Sequence, residues 1–512
     1  MNGPRQEEVR KEAPQTPASE PQEAGVGVPL LSRGRLPSCR VGSLPRPPRF
    51  WRLVGPGIIM VATSLGSGEI YFWPGITMQH GFTLLWPALI ALSLQYVLNT
   101  EFARYTIATG ETIITGFARL WAPLAWVFLA CSTLPWLWPG WSTGGATALS
   151  WVLGGQVDVI AAASLVLIGI ALTGTRVVYK TVERIEMILT VFVIVSVALV
   201  AVLVVKAPTL GAFAEGLGTF PTAIPEGLDI ATLLAALAFC GAGGSVNLAT
   251  SHWIRDKGFG MAKLVPKVTS PLTGEKVAVA SEGYFFKADE ENLSRWKSWW
   301  KLARREQLLS FWLTGAFGLI LLMLISHALL YGQDLEIGMG MLQAEGAILG
   351  QNLAAGLQTL FYLMVAAIFF TSEIGVLDHV ARVSADIIKT NSPIIRNSSS
   401  RYLSESALYF FVLWLMIFFA IGVIFVADMT DTPTLLRIAG SLSGIVMFLY
   451  SALAILLMRR LASQVAASDE RFRSDNPFQL PLWRLLGLMV ATLFYGGFSF
   501  LLIANIARTL TG

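Results

Sequence analysis

Charge-free apolar runs of about twenty residues recur along this chain, and no other feature restricts its fold so tightly. The hydrocarbon core of a bilayer is about 30 Å thick, and a helix needs about 20 apolar residues to cross it. The first run covers 53–68 and continues past Glu69 into 70–78; the others are 82–103, 120–140, 158–175, 187–205, 229–254, 307–331, 346–372, 406–427, 437–458 and 485–507. They predict an all-α integral membrane protein with about eleven transmembrane helices. Only 14% of the residues are charged, against roughly 25% in soluble domains. A soluble chain so poor in charge could not cover its own surface.

The basic residues give an orientation. With the N-terminus in the cytoplasm, 34 of the 37 Lys and Arg residues fall on the inner side, leaving Lys206, Arg437 and Arg508 for the outer one. That is the positive-inside pattern, and an odd number of spans then puts the C-terminus outside. The short cytoplasmic loops suggest a bacterial inner membrane as host. Residues 1–48, rich in Pro, Glu, Gln and Arg, hold too little apolar surface to fold and are expected to be a disordered cytoplasmic tail. In the longest cytoplasmic loop, 258–305, the run Arg295-Trp296-Lys297-Ser298-Trp299-Trp300-Lys301 suits a helix lying in the headgroup plane. Cys39, Cys131 and Cys240 share no metal-ligand spacing.

Two spans carry a device that most membrane helices lack. In the first, Gly66-Ser67-Gly68 is followed at once by Glu69; in the sixth, Cys240-Gly241-Ala242-Gly243-Gly244 is followed by Ser245-Val246-Asn247. Each glycine costs roughly 1 kcal/mol relative to alanine inside a helix, so both stretches are expected to unwind at mid-membrane. Irregular backbone at that depth is tolerated only where it lines a cavity or is buried in protein, and paired interruptions mark a transporter's binding site. The two breaks lie five helices apart, which makes the second half inverted relative to the first. The bland alternative is that these glycines only let helices pack closely.

Several motifs resemble the Nramp (natural resistance-associated macrophage protein) metal transporters. They are Gly55-Pro56-Gly57 opening the first span, Gly81-Phe82-Thr83-Leu84-Leu85-Trp86 and Ile107-Ala108-Thr109-Gly110 around the second, and Asn247-Leu248 in the sixth. The resemblance implies a LeuT-type fold: a five-helix repeat at 51–206, its inverted partner at 229–459, and an extra helix at 482–510. It also implies proton-linked uptake of divalent metals. The departures fall on the site itself. Where the family has Asp-Pro-Gly-Asn this chain has Gly66-Ser67-Gly68-Glu69, and where it has Met-Pro-His-Asn this chain has Gly244-Ser245-Val246-Asn247. The third span reads Cys131-Ser132-Thr133-Leu134-Pro135, without the family's acidic residues.

Glu69 and Asn247, with carbonyls freed near Gly66 and Gly241, would make an all-oxygen metal site. Without a thioether it favours Mn²⁺ or Mg²⁺ over softer ions. Gly66, Ser67, Gly68, Glu69, Gly241, Gly244, Ser245 and Asn247 are therefore the candidate substrate-binding residues. For the coupling ion, Glu373 is the candidate proton carrier or else the partner of a distant arginine; Thr371 and Ser372 are candidates for holding sodium, and His252 for a proton or gating role. Asp378 with Arg382 (i, i+4) and Glu101 with Arg104 (i, i+3) read as internal ion pairs.

The main functional expectation is a proton-coupled divalent-cation transporter. The alternative is a proton- or sodium-coupled carrier of a small organic solute, such as an amino acid or carboxylate, and a non-transporting receptor is the third reading. Nothing in the chain marks an enzyme: there is no Ser/His/Asp grouping, phosphate loop or metal cluster, and no basic-aromatic array for nucleic acid. The expected partners are the lipid bilayer and a small ion or solute. No cofactor is expected, a divalent cation being cargo.

Overall fold

The computed structural model describes residues 36–175, 177–220, 224–265, 268, 283–398, 400–426 and 431–511. It is an all-α membrane protein, with helices in the expected order. Six are long and apolar enough to cross a membrane without interruption: Val178–Val204, Glu290–Leu330, Ala355–Asn391, Glu405–Val426, Thr432–Ser468 and Leu482–Arg508. These are the fifth and the seventh to eleventh spans. Over its most apolar eighteen residues Ala355–Asn391 is 78% buried, whereas the fifth and eleventh spans are 33% and 28% buried over theirs and turn residues such as Val202, Leu493 and Phe500 outward. Apolar surface of that extent needs lipid against it.

The other spans depart from simple rods for identifiable reasons. The second, Leu85–Thr109, carries Glu101 and Arg104 near its inner end. The third is assembled from Ile113–Leu120, Leu124–Thr133 and Gly140–Leu153, interrupted by Pro123 and by Leu134–Trp136. It therefore reaches thirteen residues beyond the expected end at 140, then bends by 116° into the fourth, Val157–Thr173. The eighth also lies later than expected. The run at 346–372 divides into a short helix, Met339–Asn352, and the span proper from Ala355. Charge-free runs locate apolar sequence; helix ends follow hydrogen bonding, and the eighth continues through Glu373, Asp378 and Arg382 because all three are buried in protein.

The first span begins at Pro56, where the missing N–H is one that a helix start leaves unbonded. Glu306 of the seventh span caps it, accepting from Gly57 N at 2.9 Å and Gly55 N at 3.4 Å. It does not unwind at Gly66–Glu69. Leu65–Phe72 is π-helical instead, and Trp73 N–H closes on Gly68 O, five residues back. A π stretch widens the turn yet leaves the backbone bonded, so it meets the membrane's demand that an open stretch would violate.

The sixth span is broken as expected. Ile230–Ala238, capped by the Asp229 carboxylate on Thr232 N, is separated from Gly244–Lys257 by residues 239–243. Gly241, Gly243 and Gly244 take φ of 105°, 70° and 44°, a region that side chains disfavour.

Two expectations at the basic end are corrected. Residues 1–35 lie outside the described residues, but 36–48 are ordered: Arg40–Gly42 pairs in parallel with Tyr284–Phe286. Leu44 N donates to Asn292 Oδ1 at 2.8 Å, and Arg295 donates to Leu44 O at 2.8 Å. Burial pushes the Cys39 thiol upward, leaving it an inert core group. The tryptophan-rich helix does not lie in the headgroup plane. It is the start of Glu290–Leu330, with Trp296 and Trp299 buried and Trp299 donating to Pro45 O at 2.7 Å. Trp300 has the guanidinium groups of Arg104, Arg484 and Arg304 over its ring at 4.2, 4.8 and 5.3 Å. The tail supplies the partners that headgroups would have supplied.

Candidate functional site

The π stretch of the first span and the break in the sixth lie against each other. A Cβ on Gly68 would stand 2.3 Å from Phe239 O, and one on Gly66 would stand 2.3 Å from Ser372 Oγ. These glycines are present because two backbones and an eighth-span hydroxyl meet there. Ser372 Oγ donates to Thr63 O at 2.7 Å and accepts from Gly66 N at 3.0 Å, stitching the first span to the eighth. The neighbouring Thr371 hydroxyl donates to Ile368 O of its own helix at 2.8 Å. The side chain of Ser67 lies outside the described residues.

Glu69 is fully buried at this junction. Its Oε1 accepts from Ser64 Oγ at 3.4 Å, and the N–H of Gly241, in the broken stretch, lies near the carboxylate. Its Oε2 has no hydrogen-bond partner. The carboxylate faces the seventh span where Gly315 and Gly318 leave room: a Cβ on either would lie 3.8 or 3.9 Å from a Glu69 oxygen. A buried carboxylate oxygen left without a partner calls for an explanation.

The other candidates disperse. Asn247 Nδ2 donates to Tyr450 OH of the tenth span at 2.6 Å, while its Oδ1 is unpartnered. Glu69 and Asn247 therefore take different partners on different spans. Gly244 abuts Ser443 of the tenth span, whose buried hydroxyl is also unpartnered. Ser245 Oγ contacts His379 Nε2 at 3.1 Å. Glu373 turns to the third span, where the backbone N–H of Ser142 lies near it; its Oε2 is unpartnered, and no ion pair reaches it among the described residues. His252 sits against Asp386 at 3.1 Å, in the ionic layer described below. Among the described residues no group of three or more His, Cys, Asp or Glu side chains is gathered as for a metal. A thioether does reach the same two spans, since Thr250 Oγ1 donates to Met60 Sδ at 2.9 Å. Met60 lies about 14 Å along the helix from Glu69, however, and belongs to another layer.

Gln95 of the second span was not among the sequence candidates. Its Nε2 donates to Ala238 O at 3.2 Å and Cys240 O at 2.7 Å, and its Oε1 accepts from Gly243 N at 3.1 Å. One amide thus serves three backbone groups that the break would orphan. The signal was a buried amide in an apolar span, a type that membrane helices seldom carry without a partner. A leucine at this position leaves all three groups unpaired, at about 1–3 kcal/mol each. Gln95→Leu is therefore expected to lower the thermal unfolding midpoint of the detergent-solubilised protein severely. An unchanged midpoint would mean that something else bonds the break.

A cavity and a buried ionic layer lie toward opposite ends of the bundle. At the basic-poor end a cavity of about 620 Å³ reaches Tyr71 and Phe72, the last turn of the π stretch, and is walled by Asp229, Glu336, Asp431 and Arg437. At the basic end a buried ionic layer joins the sixth, eighth and ninth spans. Arg382 binds Asp378 at 2.7 and 3.1 Å and also pairs with Asp256. Asp378 accepts from Trp253 Nε1 and Tyr409 OH as well, at 2.8 and 2.7 Å. Arg255 binds Asp386 at 2.8 Å and Glu405, and Thr112 donates to Asp386 at 2.8 Å. The expected pair of Arg104 and Glu101 is present at 2.9 Å, with Arg484 of the eleventh span as a second cation.

Solved structures share this fold. Two of the Eremococcus coleocola manganese transporter, a histidine-to-alanine variant and a glutamate-to-glutamine variant, superpose with TM-scores of 0.58 at 14% and 13% identity, covering 88% and 89% of this chain and 88% of theirs. The fold is that of this transporter. MhsT in complex with L-phenylalanine superposes with a TM-score of 0.50 at 14% identity over 88% of this chain and 97% of its own. No family model and no curated protein matches the sequence. The likeness is therefore one of fold, and the chemistry has to be argued from the residues.

Proposed function

We propose that this chain is a secondary-active transporter of divalent metal cations with Mn²⁺- and Mg²⁺-like, hard-ion selectivity, coupled to protons. The observation that carries this reading is Glu69, a fully buried carboxylate with a free oxygen, placed where the first span widens and the sixth breaks. A carboxylate in that position attracts a cation and repels an organic anion. The ligands at hand are oxygens, which suits a hard ion that keeps part of its water. Glu69 is buried in this conformation, so the cation would reach it as the spans part toward the cavity, and alternating access would then open the ionic layer on the other side. In this reading 51–206 and 229–459 are inverted repeats, the basic end faces the cytoplasm of a bacterial inner membrane, and the C-terminus is outside. Asn247, Ser245 and the glycine backbone complete the site as the spans rearrange.

One feature favours a small organic solute instead. Trp136, Trp141, Phe239 and His379 gather around the sixth-span break, with Trp136 stacked on Trp141 at 5.2 Å and edge-on to His379 at 4.8 Å. Such a cage suits an apolar side chain.

Calorimetric titration of the purified protein separates the readings. The metal reading expects Mn²⁺ to bind, Mg²⁺ to compete with it, and Cd²⁺ to gain no advantage from softness. Cd²⁺ displacing Mn²⁺ would refute the all-oxygen site, and binding of an aromatic amino acid without any metal would favour the second reading.

A further inference from the structure

The fifth span is strongly apolar along its outer part, with a mean hydropathy of 3.1 over its most apolar eighteen residues. Yet one face of it carries Tyr179, Glu183, Glu186 and Thr190, spaced by four, three and four residues. Tyr179, Glu186 and Thr190 are 2%, 0% and 5% exposed. The Tyr179 hydroxyl, both Glu186 oxygens and the Thr190 hydroxyl have no hydrogen-bond partner. Only Glu183 is paired, with Lys257, whose ammonium also donates to Val54 O at 3.0 Å. The fifth span packs here on the first and eighth.

A polar atom buried without a partner costs about 1–3 kcal/mol, and folded proteins hold few of them. Four along one face of a membrane span form a lane whose hydrogen bonds this conformation leaves unmade. Glu186 is the extreme case, because an unpaired carboxylate charge at this depth costs far more than the neutral acid. The charged groups around it offer no counter-ion. From the eighth span, Asp378 acts on it electrostatically, and Arg382 is committed to Asp378 and Asp256. From the sixth, Asp256 and Lys257 are already paired; from its own helix so is Glu183; from the seventh, Glu306 caps the first span. The first span brings no charge to this level, since Glu69 faces the seventh.

We propose that Glu186 is a proton-binding site of the transport cycle, and that the lane from Tyr179 to Thr190 is the path by which its proton exchanges with water at the basic end. A proton bonds to one carboxylate oxygen as the lane closes and passes to water as the first and eighth spans part from the fifth; no other bond changes. This assignment rests on the transporter reading for its purpose but not for its existence. It differs from Glu373, which faces the third span with the backbone N–H of Ser142 near it.

The test uses infrared difference spectra of the full-length protein in liposomes as pH is stepped, followed by proton flux alongside Mn²⁺ uptake. The wild type is expected to show a titrating carbonyl band of a protonated carboxylic acid that is missing from Glu186→Gln and present in Glu186→Asp. Glutamine is the isostere of the neutral acid, so this variant keeps the shape of the site. The number of protons entering per metal ion should fall in Glu186→Gln while metal uptake persists. Spectra identical to wild type, or an unchanged proton-to-metal ratio, would overturn the assignment. A band that depends on Glu186 in a protein that moves no metal would sink the transport reading and leave the proton site standing.

Discussion

Replacing Arg382 with alanine is expected to abolish the folded protein. Its guanidinium is fully buried between two fully buried carboxylates, Asp378 and Asp256, which sit on different spans. Removing one member of such a group leaves the other charges uncompensated, at about 3–5 kcal/mol, comparable to the whole stability margin of many proteins. Here two anions would be stranded side by side, so the cost should reach the top of that range or beyond. Asp378 would retain Trp253 and Tyr409 as donors, while Asp256 would keep only the 3.5 Å contact of its Oδ1 with Arg255 Nε, a guanidinium already bound to Asp386 and Glu405. The measurement is the yield and elution profile of the protein in mild detergent, which should shift to aggregate. Adding Asp378→Asn and Asp256→Asn removes the stranded charge and should recover part of the folded peak. A monodisperse, stable Arg382→Ala protein would show that water already reaches this layer and that the basic end is not closed.

The helices were legible because the bilayer fixes their length, and apolar runs of that length are hard to mistake. The two mid-membrane devices were legible because glycine clusters have few other uses at that depth. The form of the first was not. Gly66 and Gly68 announce a weak helix, but whether it opens or widens depends on Ser372 and Phe239, which come from far along the chain. The pairing of Asp378 with Arg382 could be read from i, i+4 spacing; its extension to Asp256, Trp253 and Tyr409 could not, since no local pattern joins three spans. Glu186 was missed through the method of counting. A span drawn from charge-free residues starts at 187 because 186 is a glutamate, whereas the helix starts at Val178 and carries Glu186 inside. The ordered tail was missed for a similar reason. Residues 36–48 have little apolar surface of their own and borrow their order from Asn292, Arg295 and Trp299.

Glu69 decides the account. If it holds the cation, Glu69→Gln keeps the shape of the site but loses the buried carboxylate beside the break. A neutral amide also turns a donor toward the ion. The loss should therefore fall on transport, with little change in stability, because burying glutamine costs less than burying an unpaired charge. That sets it apart from Arg382→Ala, whose loss is one of folding. The measurement is uptake of Mn²⁺, with Mg²⁺ and Ca²⁺ alongside, into proteoliposomes holding wild type or Glu69→Gln, against protein-free vesicles and under an inward proton gradient. The account predicts gradient-driven Mn²⁺ uptake by wild type and uptake no greater than that of empty vesicles for the variant. Folded wild-type protein that carries none of the three ions, or a variant that carries them as well as wild type, would contradict it.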